Sequence, residues 1–380
     1  MNQPALAALM VLAHSAFAGG RIVLTLGAIS LGGTPFEVGL VVGLLALVPM
    51  CLSVHAGRWA DRIGAVKPAL AALLMLAAAL LLAALPALAW LGMSAILLGS
   101  GFMLLHLAIN SAVAKGLAPE QRARGFSLLA LGNSLSTTAG PIAAGFLLDH
   151  AGQGWTLLVL AMLPLLALAL LGRLRAALAA IPAQPAAAGR ARVSDLLRHA
   201  PLRAVLIVSA LLSMGWDLFT FMTPMHGDRI GLSASTIGLV MGAFGAGTFV
   251  VRLFIAWLAR QFSEWQVLAA TLALTAAVYA LFPFFSSLTP LLVLAFVLGL
   301  GLGCAFPMVM SAIARTAPEG RSGEAIGIRS MLINVSQTLL PVTLGALGAA
   351  GGLRIAFWVV AAMLGAGAVF ALGRHAKWRA

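Results

Sequence analysis

Charge is what this sequence has least of. Only 9% of its 380 residues are Asp, Glu, Lys or Arg, while 62% are hydrophobic. A soluble domain carries about 25% charged residues, so an ordinary water-soluble globule is excluded. Cysteine is equally scarce: Cys51 and Cys304 lie far apart in apolar segments, which leaves neither a disulfide framework nor a metal-ligand spacing. No Gly-x4-Gly-Lys-Ser/Thr stretch occurs, so nothing points to ATP as a driving force. A basic domain is also missing, although the net charge is +13. The positive residues fall in alternate loops, which argues for a membrane protein and against nucleic acid as a partner. Finally, no Lys or Arg precedes the apolar run at 4–13. Ala16-Phe17-Ala18 resembles a signal-peptidase site, but without a basic leader the segment reads as a retained first span.

What remains is a succession of apolar runs. They predict spans at 5–29, 37–55, 68–88, 92–114, 124–147 and 156–174, then at 203–225, 234–258, 266–285, 290–314, 324–348 and 354–373. The fold class is therefore all-α and integral to a membrane, with 12 transmembrane helices. The one long link, Arg173 to Arg203, contains an Ala/Pro/Gln stretch and reads as a semi-flexible tether. The expected organisation is a six-helix bundle at 1–175, a cytoplasmic linker at 176–202 and a second bundle at 203–380.

The two halves repeat each other. Ala118-Pro119-Glu120-Gln121-Arg122 returns as Ala317-Pro318-Glu319-Gly320-Arg321, and Gly39-Leu40-Val41-Val42-Gly43 as Gly238-Leu239-Val240-Met241-Gly242; both matches have an offset of 199 residues (317 minus 118, 238 minus 39). With an even number of spans per half, the two bundles share one orientation and relate by a pseudo-twofold axis along the membrane normal. Arginine and lysine crowd the loops at one membrane face, whereas the opposite loops hold only Arg229 and Arg354. The positive-inside rule then puts both termini in the cytoplasm.

Between the second and third spans stands Gly57-Arg58-Trp59-Ala60-Asp61-Arg62-Ile63-Gly64-Ala65-Val66-Lys67. An acid among cations at a membrane surface is placed to latch onto a neighbouring helix N-terminus. Through Gly57, Ala60, Asp61, Arg62 and Gly64 this loop resembles the signature Gly-x-Leu-Ala-Asp-Arg-x-Gly-Arg-Lys of the major facilitator superfamily, with Trp59 in place of Leu. The copy after the eighth span (Arg252, Ala256, Leu258, Ala259, Arg260) has lost its acid. The fifth span carries Gly132, Ser136, Gly140-Pro141 and Ala144-Gly145, small residues that let another helix approach closely, and Pro341 and Gly345 recur in the eleventh. This resembles the helix-5 motif of the superfamily's antiporters, where it is read as a packing and gating hinge; generic close packing is the alternative. The resemblance implies the major facilitator fold, residence in a bacterial inner (plasma) membrane and transport rather than catalysis. No catalytic residues, cofactor or metal are expected, and a monomer embedded in lipid is.

Ionisable groups within spans mark cavities or partners. Arg21 lies in the first span and Asp217 in the seventh. At the repeat offset Arg21 corresponds to Thr220, one turn from Asp217, so the two charges are predicted at similar depth. They form either a static pair or a working site in which Asp217 takes a proton and Arg21 holds a carboxylate. His106 and Asn110 share a face of the fourth span, and Asn334 and Gln337 lie three apart in the eleventh. Either pair can serve substrate or protons, or merely packing. The fourth span has no arginine of the kind drug antiporters of this family often carry. Trp216, Phe219 and Phe221 flank Asp217 and suit an apolar cargo, with lipid contact as the alternative, and Arg329 is expected to snorkel to the cytoplasm. The functional expectation is a secondary active transporter that moves a small organic molecule by alternating access, coupled to protons and running as an exporter. The second reading is proton-coupled uptake of an organic anion such as a carboxylate or a siderophore.

Overall fold

The structure, a computed structural model, describes residues 2–181, 193–318 and 321–379. The chain forms α1 (Gln3–Ser30), α2 (Pro35–Ile63), α3 (Val66–Leu82), α4 (Leu88–Gly116) and a long run α5 (Pro119–Ala179). A short α6 (Val193–Arg198) leads into α7 (Ala200–Arg229), α8 (Ala234–Leu253), α9 (Ile255–Gln261), α10 (Glu264–Leu281), α11 (Leu288–Thr316), α12 (Ser322–Gly351) and α13 (Leu353–Arg379). No strand occurs among the described residues. Helices are what hydrocarbon permits, because each backbone N–H and C=O finds its partner within the same segment.

Ten of these helices are long and apolar enough to cross a membrane. One of them, α5, does so twice, and the shorter apolar α3 completes the twelve crossings. The break in α5 lies at Gly152, whose φ of 77° is a left-handed backbone that favours glycine. Ala144 and Leu160, eight residues to either side, both lie against Gly19 of α1, so the two arms fold back on each other. The repeat writes this turn again at Gly352 (φ 88°).

The helices overrun the predicted spans. The second span was expected to stop at 55, but α2 continues to Ile63, so Gly57 to Ile63 of the signature are helical and Gly64 (φ 79°) makes the turn. Hydropathy marks the hydrocarbon boundary, whereas an α-helix propagates past it into the interface. The surroundings of Gly57 and the side chain of Asp61 lie outside the described residues, and so does the latch expected of Asp61. Arg62 is exposed. The first bundle continues helically to Ala179, past the expected boundary at 175, and part of the tether (182–192) also lies outside the described residues.

The halves meet along two seams that the duplication makes equivalent, α2 against α12 and α5 against α8. Glycine lets the backbones touch. A Cβ at Gly238 of α8 would sit 2.5 Å from the Pro141 carbonyl, and Gly39 of α2 bears in the same way on the Pro341 carbonyl. Gly145 faces the Ala234 carbonyl, and a Cβ at Gly345 would lie 2.5 Å from that of Pro35. The fifth-span stripe is thus divided between two partners. Gly132, Ser136, Gly140 and Ala144 pack on α1 of their own half, while Pro141 and Gly145 turn to α8 of the other.

A carboxylate ties the second seam at its arginine-poor end. Asp149 of α5 accepts from the Ala234 N–H (3.0 Å) and the Ser235 N–H (2.7 Å), two of the donors that the start of α8 leaves without an intrahelical partner. Such a cap is worth about 1 kcal/mol. Replacing Asp149 by Ala is expected to move the closed-seam population toward the parted form by about fivefold. Spin labels on the outer ends of α5 and α8 would report it as a longer distance component, and an unchanged distance distribution would refute the role.

Candidate functional site

Midway along the seams the two halves enclose a set of polar cavities. α1 brings Arg21 to α7, where its Nη2 donates to the Asp217 carbonyl at 3.3 Å and its Nη1 stands 4.0 Å from Asp217 Oδ1. The second oxygen-side contact comes from α12: Gln337 Nε2 donates to the same Oδ1 at 3.0 Å. Thr220, the repeat counterpart of Arg21, donates to the Asp217 carbonyl at 2.8 Å. Buried Tyr279 donates to the Gly215 carbonyl (2.7 Å) and steadies this stretch of α7.

The pair is not a saturated ion pair. Two unit charges 4.0 Å apart attract by about 4 kcal/mol at an effective dielectric of 20, while withdrawing them from water costs several kcal/mol each. A tight pair recovers that cost through two or more short bonds, and this one has one long contact. Arg21 Nε is buried without a hydrogen-bond partner, as are His14 Nδ1 and Asn133 Oδ1.

Around the pair lies a cavity of about 390 Å³ lined by His14, Arg21, His106, Asp217, Asn334 and Gln337. Next to it is one of about 250 Å³ that adds Asn133, Thr137 and Arg252. A third, of about 260 Å³, is lined by Ser209, Asp217, Arg252, Phe306, Arg329 and Gln337. Trp216 borders all three. Rings of His14, Phe17 and Phe102 stack from α1 to α4, with Phe17 and Phe102 4.4 Å apart, and the His106 ring lies tilted against Phe102.

The predicted residues are distributed unevenly over this space. Arg21, Asp217, Trp216, His106, Asn334 and Gln337 come together at the cavities, with Asn334 also donating to the Pro49 carbonyl across the α2–α12 seam (3.3 Å). Asn110 does not line them; its amide folds back onto the His106 carbonyl (2.7 Å) and ring. Phe219 and Phe221 face neither lipid nor cargo but are buried in the second bundle, where Phe219 packs on Phe244. Arg329 does not snorkel outward. It donates to Ser209 Oγ (2.7 Å) and lies over the Phe306 ring, since a buried hydroxyl and an aromatic face are available one layer inward.

His14 and Arg252 also line the cavities, and pattern reading missed both as candidates. His14 carried a legible signal, seven residues before Arg21 and hence on its face of α1. Arg252 had none, because it falls at the end of a span among other arginines. Only its fold back onto the Ala130 carbonyl (2.6 Å) and Ser134 Oγ of α5 brings it to the cavity.

The profile of the Major Facilitator Superfamily matches residues 6–290 and 205–379, which together cover both bundles. The chain belongs to the major facilitator superfamily. Its fold is that of solved transporters: peptide transporter POT in complex with sulfate superposes with a TM-score of 0.80 over 98% of this chain and 94% of that one, at 16% identity. A bacterial homolog of the human lysosomal transporter Spinster, inward-facing and unoccupied, gives 0.75 at 14% identity, covering 97% and 95% of the two chains. Among curated proteins, the probable sulfoacetate transporter SauU of Cupriavidus necator is 31% identical over 140 residues, 37% of this chain and 33% of that protein. Multidrug resistance protein MdtH of Cronobacter sakazakii is 33% identical over 122 residues, 32% of this chain and 30% of that protein. The chain thus matches about a third of the length of each of these curated relatives. This facilitator is accordingly a membrane transporter and not an enzyme, with its polar residues gathered where its two halves meet.

Proposed function

We propose that this facilitator carries a small organic anion across the bacterial inner membrane by alternating access, with protons exchanged at Asp217. The observation that carries this reading is Arg21, a buried guanidinium whose only acidic neighbour among the described residues stands 4.0 Å away and whose Nε is unpartnered, facing a cavity of about 390 Å³. Ionised Asp217 holds Arg21. Protonation of Asp217 releases the guanidinium for a carboxylate or sulfonate of the cargo, which it takes in a bidentate fork. Proton and anion then load in the same state, so the two fluxes run in the same direction. Translocation follows as the glycine seams part at the arginine-poor end and the opposite end closes, with the arginine-rich end in the cytoplasm. Sulfoacetate, for which the probable sulfoacetate transporter SauU is named, is an anion of the size such a site would take.

Export of an amphiphilic compound is the second reading. It is favoured by the fifth-span motif, by the match to MdtH and by the aromatic rings of Phe17, Phe102, Trp216 and Phe244 beside the cavity. Proteoliposomes containing a pH dye separate the two. A panel of small carboxylates and sulfonates is expected to include one whose entry acidifies the lumen. Alkalinisation on cargo entry, or a response only to amphiphilic compounds, would overturn the anion-uptake reading.

A further inference from the structure

Resting on the anion reading, we infer that the cargo carries two anionic groups, one seated at Arg21 and the other between Arg252 and Arg329. The chain has ten acidic residues, and among the described residues Asp217 is the one acid that lines the cavities; Glu37, Asp228, Glu264 and Glu324 stand at helix ends. Three arginines reach the same space. Arg21 lines two of the cavities, Arg329 lines the third, and Arg252 borders both the chamber with Arg21 and the chamber with Arg329. Arg252 and Arg329 are partly buried, and no carboxylate among the described residues pairs with either. Their hydrogen bonds go to neutral oxygens, the Ala130 carbonyl and Ser134 Oγ for one and Ser209 Oγ for the other.

Three guanidinium groups against one carboxylate leave two positive charges in a low-dielectric interior, where each uncompensated charge is costly. A monoanion removes only one of them. A dianion offsets both, and once Asp217 has taken the proton that frees Arg21 it leaves a single positive charge where a monoanion leaves two; the chamber with Arg21 and the chamber with Arg252 and Arg329 both border Trp216. The unpartnered buried atoms, Arg21 Nε, His14 Nδ1 and Asn133 Oδ1, lie on residues that line the chamber shared by Arg21 and Arg252. Arg21 Nε, and His14 Nδ1 in the tautomer that protonates it, can donate to the oxygens of one anionic head, and Arg252 with Arg329 to those of the second. The ligand class is thus a short chain with an anionic group at each end, such as a dicarboxylate or a sulfocarboxylate.

The test uses the full chain reconstituted in proteoliposomes and preloaded for counterflow. Malonate, succinate, glutarate and sulfoacetate are each compared with a monoanion of matching length, and with the neutral diamides. At least one dianion is expected to drive exchange at a concentration tenfold or more below that of its monoanionic match. Arg329→Gln is expected to shrink that preference at least fivefold, and Arg329→Lys to recover part of it. Monoanions that exchange as well as every dianion would overturn the two-site cargo while leaving the anion reading standing. Exchange of neither, with uptake only of neutral or cationic amphiphiles, would overturn both. The wild-type comparison needs no variant, so a failure of Arg329→Gln to fold does not remove the test.

Discussion

Replacing Asp217 by Asn is expected to abolish pH-gradient-driven accumulation while the protein still folds and still exchanges cargo across the membrane. The amide keeps an oxygen for Gln337 Nε2, and the backbone carbonyl that receives Arg21 Nη2 is untouched, so the local hydrogen bonds survive. What disappears is the proton and the negative charge that competes for Arg21. A coupling of about 1–3 kcal/mol corresponds to about a 5–150-fold loss in the ratio of gradient-driven to exchange flux. Proteoliposome uptake with and without an imposed pH gradient measures that ratio directly. If Asp217→Asn accumulates cargo in response to the gradient as well as the parent does, Asp217 is not the coupling group. Truncation to Ala is a harsher change, since it also strips Gln337 of its acceptor and leaves Arg21 with an uncompensated charge, at a cost of about 3–5 kcal/mol.

The second large effect belongs to the seams. A Cβ at Gly238 would lie 2.5 Å from the Pro141 carbonyl, a backbone atom that cannot rotate away, and Gly39 stands in the same relation to Pro341. Overpacking of this kind costs about 1–3 kcal/mol per site. The two seams share no partners, so Gly39→Ala and Gly238→Ala together are expected to add to about 2–6 kcal/mol. That sum spans the ~5.5 kcal/mol needed to turn a 99:1 equilibrium into 1:99. The double variant is therefore expected to stand open at the arginine-poor end and to lose net transport while each single variant retains part of it. Distances between spin labels across both seams check the opening. Gly172→Ala is the control, because a Cβ there meets nothing within 4 Å. A double variant with parental distances would show that the seams yield without parting.

Much of the architecture was legible because hydrocarbon imposes it. Apolar run length set the spans, and the duplication, seen first in Ala-Pro-Glu-x-Arg and Gly-Leu-Val-x-Gly, registered one half on the other. The same register placed Arg21 next to Asp217 from a counterpart position one turn away, and the structure puts them 4.0 Å apart. The site was legible only where a residue was anomalous for its setting, as a charge within an apolar span is. Asn110, Phe219 and Phe221 were ordinary residues near an anomalous one, and proximity along a helix does not decide which face a side chain presents. Arg329 and Arg252 sat near span ends, where a long side chain reaches outward or inward with equal ease.

By itself, then, the sequence determined that this chain crosses the membrane twelve times in two equivalent halves, because periodicity and hydropathy are local properties that survive without knowledge of neighbours. Which helices those halves present to each other, how one glycine stripe is shared between α1 and α8, and which three arginines face one acid were decided only by the tertiary structure. Each depends on side chains some 120 to 200 residues apart arriving at the same cavity, from Arg329 on Ser209 to Arg21 on Asp217. No local pattern encodes such a meeting; close packing of the two bundles does.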